Sequence, residues 1–167
     1  MPPMTKPCLS LTTSKRPSAF FKAGYSWPAL AAVSLPVEIS TGRLTAANAG
    51  HEYPVLLQPG GQFELYKDKH GFVIGGMDGM RYREYELQLS PGARLFLYTD
   101  GVPEANNAEN ELFGTERMLA ALNADTAASP TDMLNNVRRA VDGFVKDAEQ
   151  FDDLTMLGFE YKGGEQA

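Results

Sequence analysis

Three short stretches gather the residue types able to do chemistry. The first is Asn48-Ala49-Gly50-His51, the second is Tyr98-Thr99-Asp100-Gly101-Val102-Pro103-Glu104-Ala105, and the third is Phe151-Asp152-Asp153-Leu154-Thr155. Asp100 closes an apolar run, and Asp152 and Asp153 precede one. Carboxylates at two strand ends suit a hard divalent cation, because Mg²⁺ and Mn²⁺ favour oxygen ligands in near-octahedral geometry. One domain brings such ends together when the two strands are neighbours in a sheet. Each stretch also has an ordinary reading. Asp-Gly after a strand is a common turn, since Gly tolerates positive φ and Asp bonds its own backbone. Asp152 and Asp153 could be solvated loop charge, and a lone His51 is more often a hydrogen-bonded loop residue than a catalyst.

The elements that must position these residues follow from periodicity. Val37-Glu38-Ile39 reads as a strand entering a turn at Thr41-Gly42, and Arg43 to Ala47 leaves it as a second strand. Tyr53 to Leu57 is a short apolar strand, and Phe63 to Tyr66 pairs back on it across Pro59-Gly60-Gly61. Gly71, Gly75, Gly76 and Gly79 mark a glycine-rich connection. Tyr82 to Leu89 alternates as a half-buried strand, and Arg94 to Tyr98 is apolar enough for burial on both faces. Two helices come next. Thr115 is the expected N-cap of the first, with Met118, Leu119 and Leu122 buried. The second opens on Ser129-Pro130, a capping serine and a proline at the first helical position. It repeats apolar residues from Met133 to Ala148 at spacings of three and four. A last strand is expected over Leu154 to Tyr161. Many strands, two helices and a final strand predict an α+β domain with antiparallel sheet and helices packed outside.

Composition narrows the function classes. The chain has 167 residues, a hydrophobic fraction of 43%, a net charge of -6 and one cysteine, Cys8. That length fits one domain with a sizeable core. The acidic balance argues against nucleic acid as a partner. Cys8 alone forms neither an internal disulfide nor a cysteine-based zinc site, which agrees with a cytoplasmic setting. No run of ~18 apolar residues predicts a membrane span. Residues 1–36 differ from the rest: they hold Lys6, Lys15, Arg16 and Lys22 and no acid, so removing their +4 from the total of -6 leaves -10 for residues 37–167. Six prolines and no sustained period predict an irregular segment there, either a tail or a displaced start joined to a genuine domain. A cleaved signal peptide is disfavoured, because the basic residues are scattered and Pro28 interrupts the apolar stretch.

The order of the three stretches, with the text around them, resembles the bacterial PP2C-like serine phosphatases of the SpoIIE/RsbU type. The elements that carry the resemblance are Asn48-Ala49-Gly50-His51, Tyr98 to Ala105, Asn106 with Glu111 and Phe113-Gly114, and Asp152-Asp153-Leu154-Thr155. The resemblance places the C-terminal part of the phosphatase domain at residues 37–162, with a tail at 163–167. It implies a partial αββα sandwich and a two-metal site for Mn²⁺ or Mg²⁺. Asp100 and Asp152 carry over as metal ligands and catalytic residues, Asp153 as the alternate ligand, and His51 as a supporting residue near the site. The implied reaction is direct attack of a metal-bound water on phosphoserine or phosphothreonine. The implied partner is a phosphorylated anti-anti-sigma factor of the STAS type.

The chain departs from that family at its start. The family's early Gly-Asp element and its second acidic element are not found in residues 1–36, where no Asp or Glu precedes Glu38. Two readings of different class follow. One is a metal-dependent protein serine/threonine phosphatase in truncated form, and the other is a catalytically inactive remnant that binds a protein partner or itself. Loss of the early helices would leave one sheet with an uncovered apolar face, which predicts homo-oligomers through that face. An unrelated acidic α+β binding module is a third reading, and it predicts no effect of divalent cations on stability.

Overall fold

The structure is a computed structural model that describes residues 9–13, 32–38, 40–69, 71–74, 77–146 and 154–163. Nine strands and two helices lie in that span: β1 Leu9–Thr13, β2 Ala32–Ser34, β3 Val37–Glu38, β4 Arg43–Ala49, β5 Val55–Leu57, β6 Glu64–Leu65, β7 Glu84–Gln88, β8 Arg94–Tyr98, α1 Gly114–Asn123, α2 Pro130–Val145 and β9 Thr155–Glu160. All strand pairs are antiparallel, as expected. One sheet runs β1-β9-β8-β5-β6. In the other, β4 pairs with β7 along one edge and with β2 and β3 along the opposite edge. Pro36 separates β2 from β3, yet its carbonyl accepts from Thr45 N at 3.0 Å and so keeps the ladder continuous.

β8 and β5 alternate between two apolar layers. Phe96 and Tyr98 of β8 join Val55, Leu57, Met118, Leu122, Met133, Leu134, Val137 and Val141 in a core under the helices. Leu95 and Leu97 instead meet Leu44, Ala46, Leu89 and Tyr161 between the sheets. Both faces of β8 are therefore buried, as its continuous apolar text predicts. Each large side chain so buried contributes roughly 1.5–3 kcal/mol. The layers run helices, five-stranded sheet, second sheet. At Gly158 of β9 an added Cβ would come within 3.0 Å of the Pro130 carbonyl oxygen, so glycine there lets α2 seat directly on the strand.

Three expectations meet structural detail that the sequence did not announce. Residues 1–36 contribute two strands: β1 adds to the edge of the first sheet through β9, and β2 pairs with the end of β4. Their backbone partners come from distant sequence, so no local period announces them. Helix α1 has Phe113, not Thr115, at its N-cap, with no side-chain cap bond. Gly114, at φ +76°, turns the chain into that helix two residues earlier than the Thr signal suggests. The outer face of the second sheet carries polar residues on β4 and β7. Alternation points Arg43, Thr45 and Ala47 of β4 outward, beside the exposed Glu84, Glu86 and Gln88 of β7. Arg43 there meets Glu38 at 3.5 Å and Glu86 at 3.4 Å. No described helix is long and apolar enough to cross a membrane.

Candidate active site

Asp100 stands one residue beyond Thr99, where β8 stops. Thr99 N donates to the Thr155 carbonyl at 3.1 Å, and Thr155 N donates to Thr99 Oγ1 at 3.3 Å, so the β8–β9 pairing persists to the last residue before the turn. The turn is closed by Val102 N to the Thr99 carbonyl at 3.0 Å and Glu104 N to the Asp100 carbonyl at 2.9 Å. Val102 is fully buried and anchors it, while Asp100 is exposed. Gly101 N donates to Asp100 Oδ1 at 3.0 Å and orients the carboxylate. The ordinary reading of Asp-Gly and the chemical one thus hold together: the turn fixes the backbone, and the acid group is left facing water.

Asp152 and Asp153 lie outside the described residues, so their approach to Asp100 is not seen directly. The strand pairing bears on it all the same. Tyr98 is opposite Met156, and Leu154 is two residues before that partner. Among the described residues no three His, Cys, Asp or Glu side chains gather as a metal site. Asp100 offers a carboxylate, the donor type that a hard cation prefers.

The Asn48-Ala49-Gly50-His51 stretch ends β4 and forms a tight loop organised by a buried amide. Asn48 is fully buried. Its Oδ1 accepts from His51 N at 2.8 Å, and its Nδ2 donates to the His51 carbonyl at 3.0 Å and to Asp68 Oδ2 at 2.9 Å. Gly50 has φ +76°, and a Cβ there would sit 2.6 Å from Val73 Cγ1, so both conformation and space require glycine. His51 is half-buried; its Nδ1 lies 3.1 Å from the Glu52 carbonyl, which can only accept, so Nδ1 is the donor in that contact. Asn48 thus holds both the N–H and the carbonyl of His51.

Sequence reasoning missed the partners of that amide. Asp68 Oδ2 also accepts from Tyr85 OH at 2.8 Å, and the Tyr85 ring stacks on Tyr66 at 5.5 Å. Burial pushes the Tyr85 phenol well above its usual range, and the hydrogen bond to Asp68 and that residue's charge push it further. In the text, Asp68 lies between Lys67 and Lys69 and looks like solvated charge. Nothing local marks it as a partner for residues 20 positions upstream and 17 downstream. Asn107 was missed as well: its Oδ1 accepts from Glu111 N at 2.8 Å and its Nδ2 donates to Glu111 Oε2 at 3.0 Å, while the expected Asn106 takes part in a backbone bridge to Leu112.

The Asn48 loop and Asp100 share one end of the molecule. Val55 pairs with Phe96, so β5 begins beside the end of β8, and residues 51–54 approach it from the loop. Consistent with this, the Tyr98 phenol is raised by burial and, secondarily, by the charge of Glu52. Glu52 is therefore an acidic neighbour of the strand end that carries Asp100, which no motif signalled.

Comparison with known proteins gives a family and a fold. The family model described as Stage II sporulation protein E (SpoIIE) matches residues 20–162. Protein IcfG of Synechocystis sp. is 34% identical over 121 residues, which is 72% of this chain and 19% of IcfG. Among solved structures, the phosphatase domain of SpoIIE from Bacillus subtilis, presoaked with Mn, superposes with a TM-score of 0.62 at 12% identity, covering 82% of this chain and 59% of that one. The RsbU and RsbW domains of Rv1364c from Mycobacterium tuberculosis give a TM-score of 0.62 at 16% identity, over 80% of this chain and 36% of that one. The chain thus spans about a fifth of IcfG and just over a third to three-fifths of those solved chains. A family match over most of the chain and a shared layered fold lead to one conclusion: this chain belongs to the SpoIIE family and carries part of its PP2C-like α+β fold.

Proposed function

We propose that this chain is the C-terminal part, residues 37–162, of a metal-dependent protein serine/threonine phosphatase acting in the cytoplasm on a phosphorylated sigma-factor regulator of the STAS type. The observation that carries the reading is the β8–β9 pairing, which ends with Thr99 against Thr155. That pairing favours emergence of Asp100 and the Asp152-Asp153 pair from one end of one sheet. In this reading Asp100 and Asp152 hold Mn²⁺ or Mg²⁺, and Asp153 is the alternate ligand. When bound, such ions lower the pKa of water and neutralise charge on phosphoryl oxygens. Asp100 contributes a carboxylate whose Oδ1 is oriented by Gly101 N and whose backbone is pinned by Glu104. The Asn48-braced loop shapes the opposite wall of the same end and keeps His51 in place. The Mn presoak of the Bacillus subtilis SpoIIE domain supports the cation, and the joined RsbU and RsbW domains of the mycobacterial protein support the kind of partner.

The test is Mn²⁺-dependent hydrolysis of p-nitrophenyl phosphate by the whole chain, with Asp100→Ala and Asp152→Ala beside it. Loss of an outer-shell partner of a metal site costs ~10–100-fold, so loss of a ligand should cost about a hundredfold or more. Asp100 is exposed, so the melting temperature of its variant should barely move. Hydrolysis that survives in both variants, or that ignores Mn²⁺, would sink the assignment.

A further inference from the structure

A second feature of the same end is a basic depression of about 330 Å³ lined by Lys69, Gly71, Arg81 and Arg83. Its place follows from the fold. Gly71 N donates to the Asn48 carbonyl at 2.8 Å, and Ala49 bridges Gly71, so the depression borders the Asn48–His51 loop directly. Glu84 pairs with Ala47, which sets Arg83 at the level of Asn48, past the last paired residue of β7. The floor is bare by construction: a Cβ on Gly71 would approach the Tyr82 ring to 3.1 Å.

Three cations facing one hollow are unexpected here. Residues 37–167 carry a net -10, and the structure's ion pairs engage Arg43, Arg94 and Arg138 instead. Lys69, Arg81 and Arg83 are exposed, and among the described residues they form neither an ion pair nor a side-chain hydrogen bond. Like charges held together without counter-charges repel each other, a cost that an anionic ligand would reverse. The connection that supplies Lys69 and Gly71 also exposes large apolar side chains, with Phe72 at 50%, Ile74 at 45% and Met77 at 62%. Cations beside exposed apolar groups match a peptide that alternates acidic and apolar residues. The net -10 of residues 37–167 disfavours a nucleic-acid backbone as the occupant.

Resting on the phosphatase reading above, we infer that Lys69, Arg81 and Arg83 form the docking site for an acidic segment of the protein substrate, next to the residue presented at Asp100. Specificity for an acidic phosphoprotein would then come from this rim, and the acidic turn at Asp100 would be spared that task.

Fluorescence anisotropy of a labelled twelve-residue peptide, with Glu and Asp interleaved with Leu, tests the inference without metal or turnover. The whole chain should bind it, and binding should weaken steeply as NaCl is raised toward 1 M, where the Debye length falls to ~3 Å. The variant Lys69→Glu/Arg81→Glu/Arg83→Glu should lose affinity by at least tenfold. The variant Arg138→Glu/Arg139→Glu/Lys146→Glu, of equal net charge and elsewhere on the surface, should stay within about twofold of wild type. Melting curves establish that both variants are folded. Equal loss in the two variants, no binding by wild type, or tighter binding of a single-stranded DNA twelve-mer would each overturn the inference. Because the readout needs no hydrolysis, an inactive chain that still binds leaves the docking site standing. An active chain that does not bind removes the docking site and leaves the phosphatase reading intact.

Discussion

Replacing Asn48 should unravel more than its size suggests. The amide is fully buried and makes three hydrogen bonds: to His51 N at 2.8 Å, to the His51 carbonyl at 3.0 Å and to Asp68 Oδ2 at 2.9 Å. A neutral hydrogen bond contributes about 0.5–1.5 kcal/mol and one to a charged group about 1.5–3. The gross sum is therefore roughly 2.5–6 kcal/mol. His51 is half-buried, so water can meet part of its lost demand, and Asp68 keeps its bond from Tyr85. Asn48→Ala should consequently cost about 3–4 kcal/mol, a large share of the stability of a typical domain. At roughly 2–4 °C per kcal/mol for a chain of this length, the melting temperature should fall by about 10 °C. Urea unfolding monitored by circular dichroism measures it, with an unchanged m-value showing that the denatured state is the same.

Asn48→Asp separates the hydrogen-bond account from a packing account. It keeps the shape but sets a carboxylate against Asp68 Oδ2, where an amide donor had been. Ionised together, two facing carboxylates repel, so the shared site takes up protons more readily in the folded state than in the unfolded chain. A pKa raised on folding gives stability that is present below the unfolded value, ~3.9, and lost as pH rises through the folded one. The aspartate variant should therefore be worse than the alanine variant at pH 7 and should recover relative to wild type as pH falls toward 4. An alanine cost under about 1 kcal/mol, or an aspartate deficit that ignores pH, would refute the reasoning.

Two further outcomes are expected. Gly50→Ala should cost about 2 kcal/mol or more, since positive φ alone costs ~1–2 kcal/mol and the new methyl would meet Val73 Cγ1 at 2.6 Å; Gly60→Ala, at φ +78° with nothing within 4 Å, should show only the conformational part, and thermal melts compare the two. The Tyr85 phenol is raised by burial and then by Asp68, so its contribution is complete below the unfolded value of ~10 and is lost as pH climbs above it. Wild type should thus lose stability more steeply than Tyr85→Phe between pH 9 and 11, and parallel urea midpoints across that range would refute the assigned partner.

How much of this was readable depended on how far each residue's partners lie along the chain. Arg94 to Tyr98 announced itself because burial on both faces leaves an uninterrupted apolar run. Ser129-Pro130 did so because its partner, Asp132 N at 3.2 Å from Ser129 Oγ, is local. Asn48-Ala49-Gly50-His51 was visible as a motif, but its physical content was not. The buried triangle of Asn48, Asp68 and Tyr85 joins β4, the glycine-rich connection and β7, and no window of sequence contains all three. β1 and β2 escaped for the same reason, since their ladders belong to β9 and β4.

The division of labour at the end of β8 follows from that wiring. Along five residues the strand is locked by Phe96 and Tyr98 on the helix side and by Leu95 and Leu97 between the sheets, and two residues later Asp100 is exposed. An acid placed on the strand itself would be desolvated and driven toward its neutral form, which suits a cation poorly. An acid on a long loop would retain its charge but lose its position. One tight turn past a doubly buried strand avoids both faults, because the carboxylate faces water while its backbone inherits the rigidity of the core. The Asn48 network serves the facing loop in the same way, burying its polar groups in order to hold His51 and Glu52 at the rim. The residues most costly to fold and those available for chemistry are thus different residues a few ångströms apart along the chain. Substitutions at Asn48 and at Asp100 should accordingly fail by different routes, the first through stability and the second through activity.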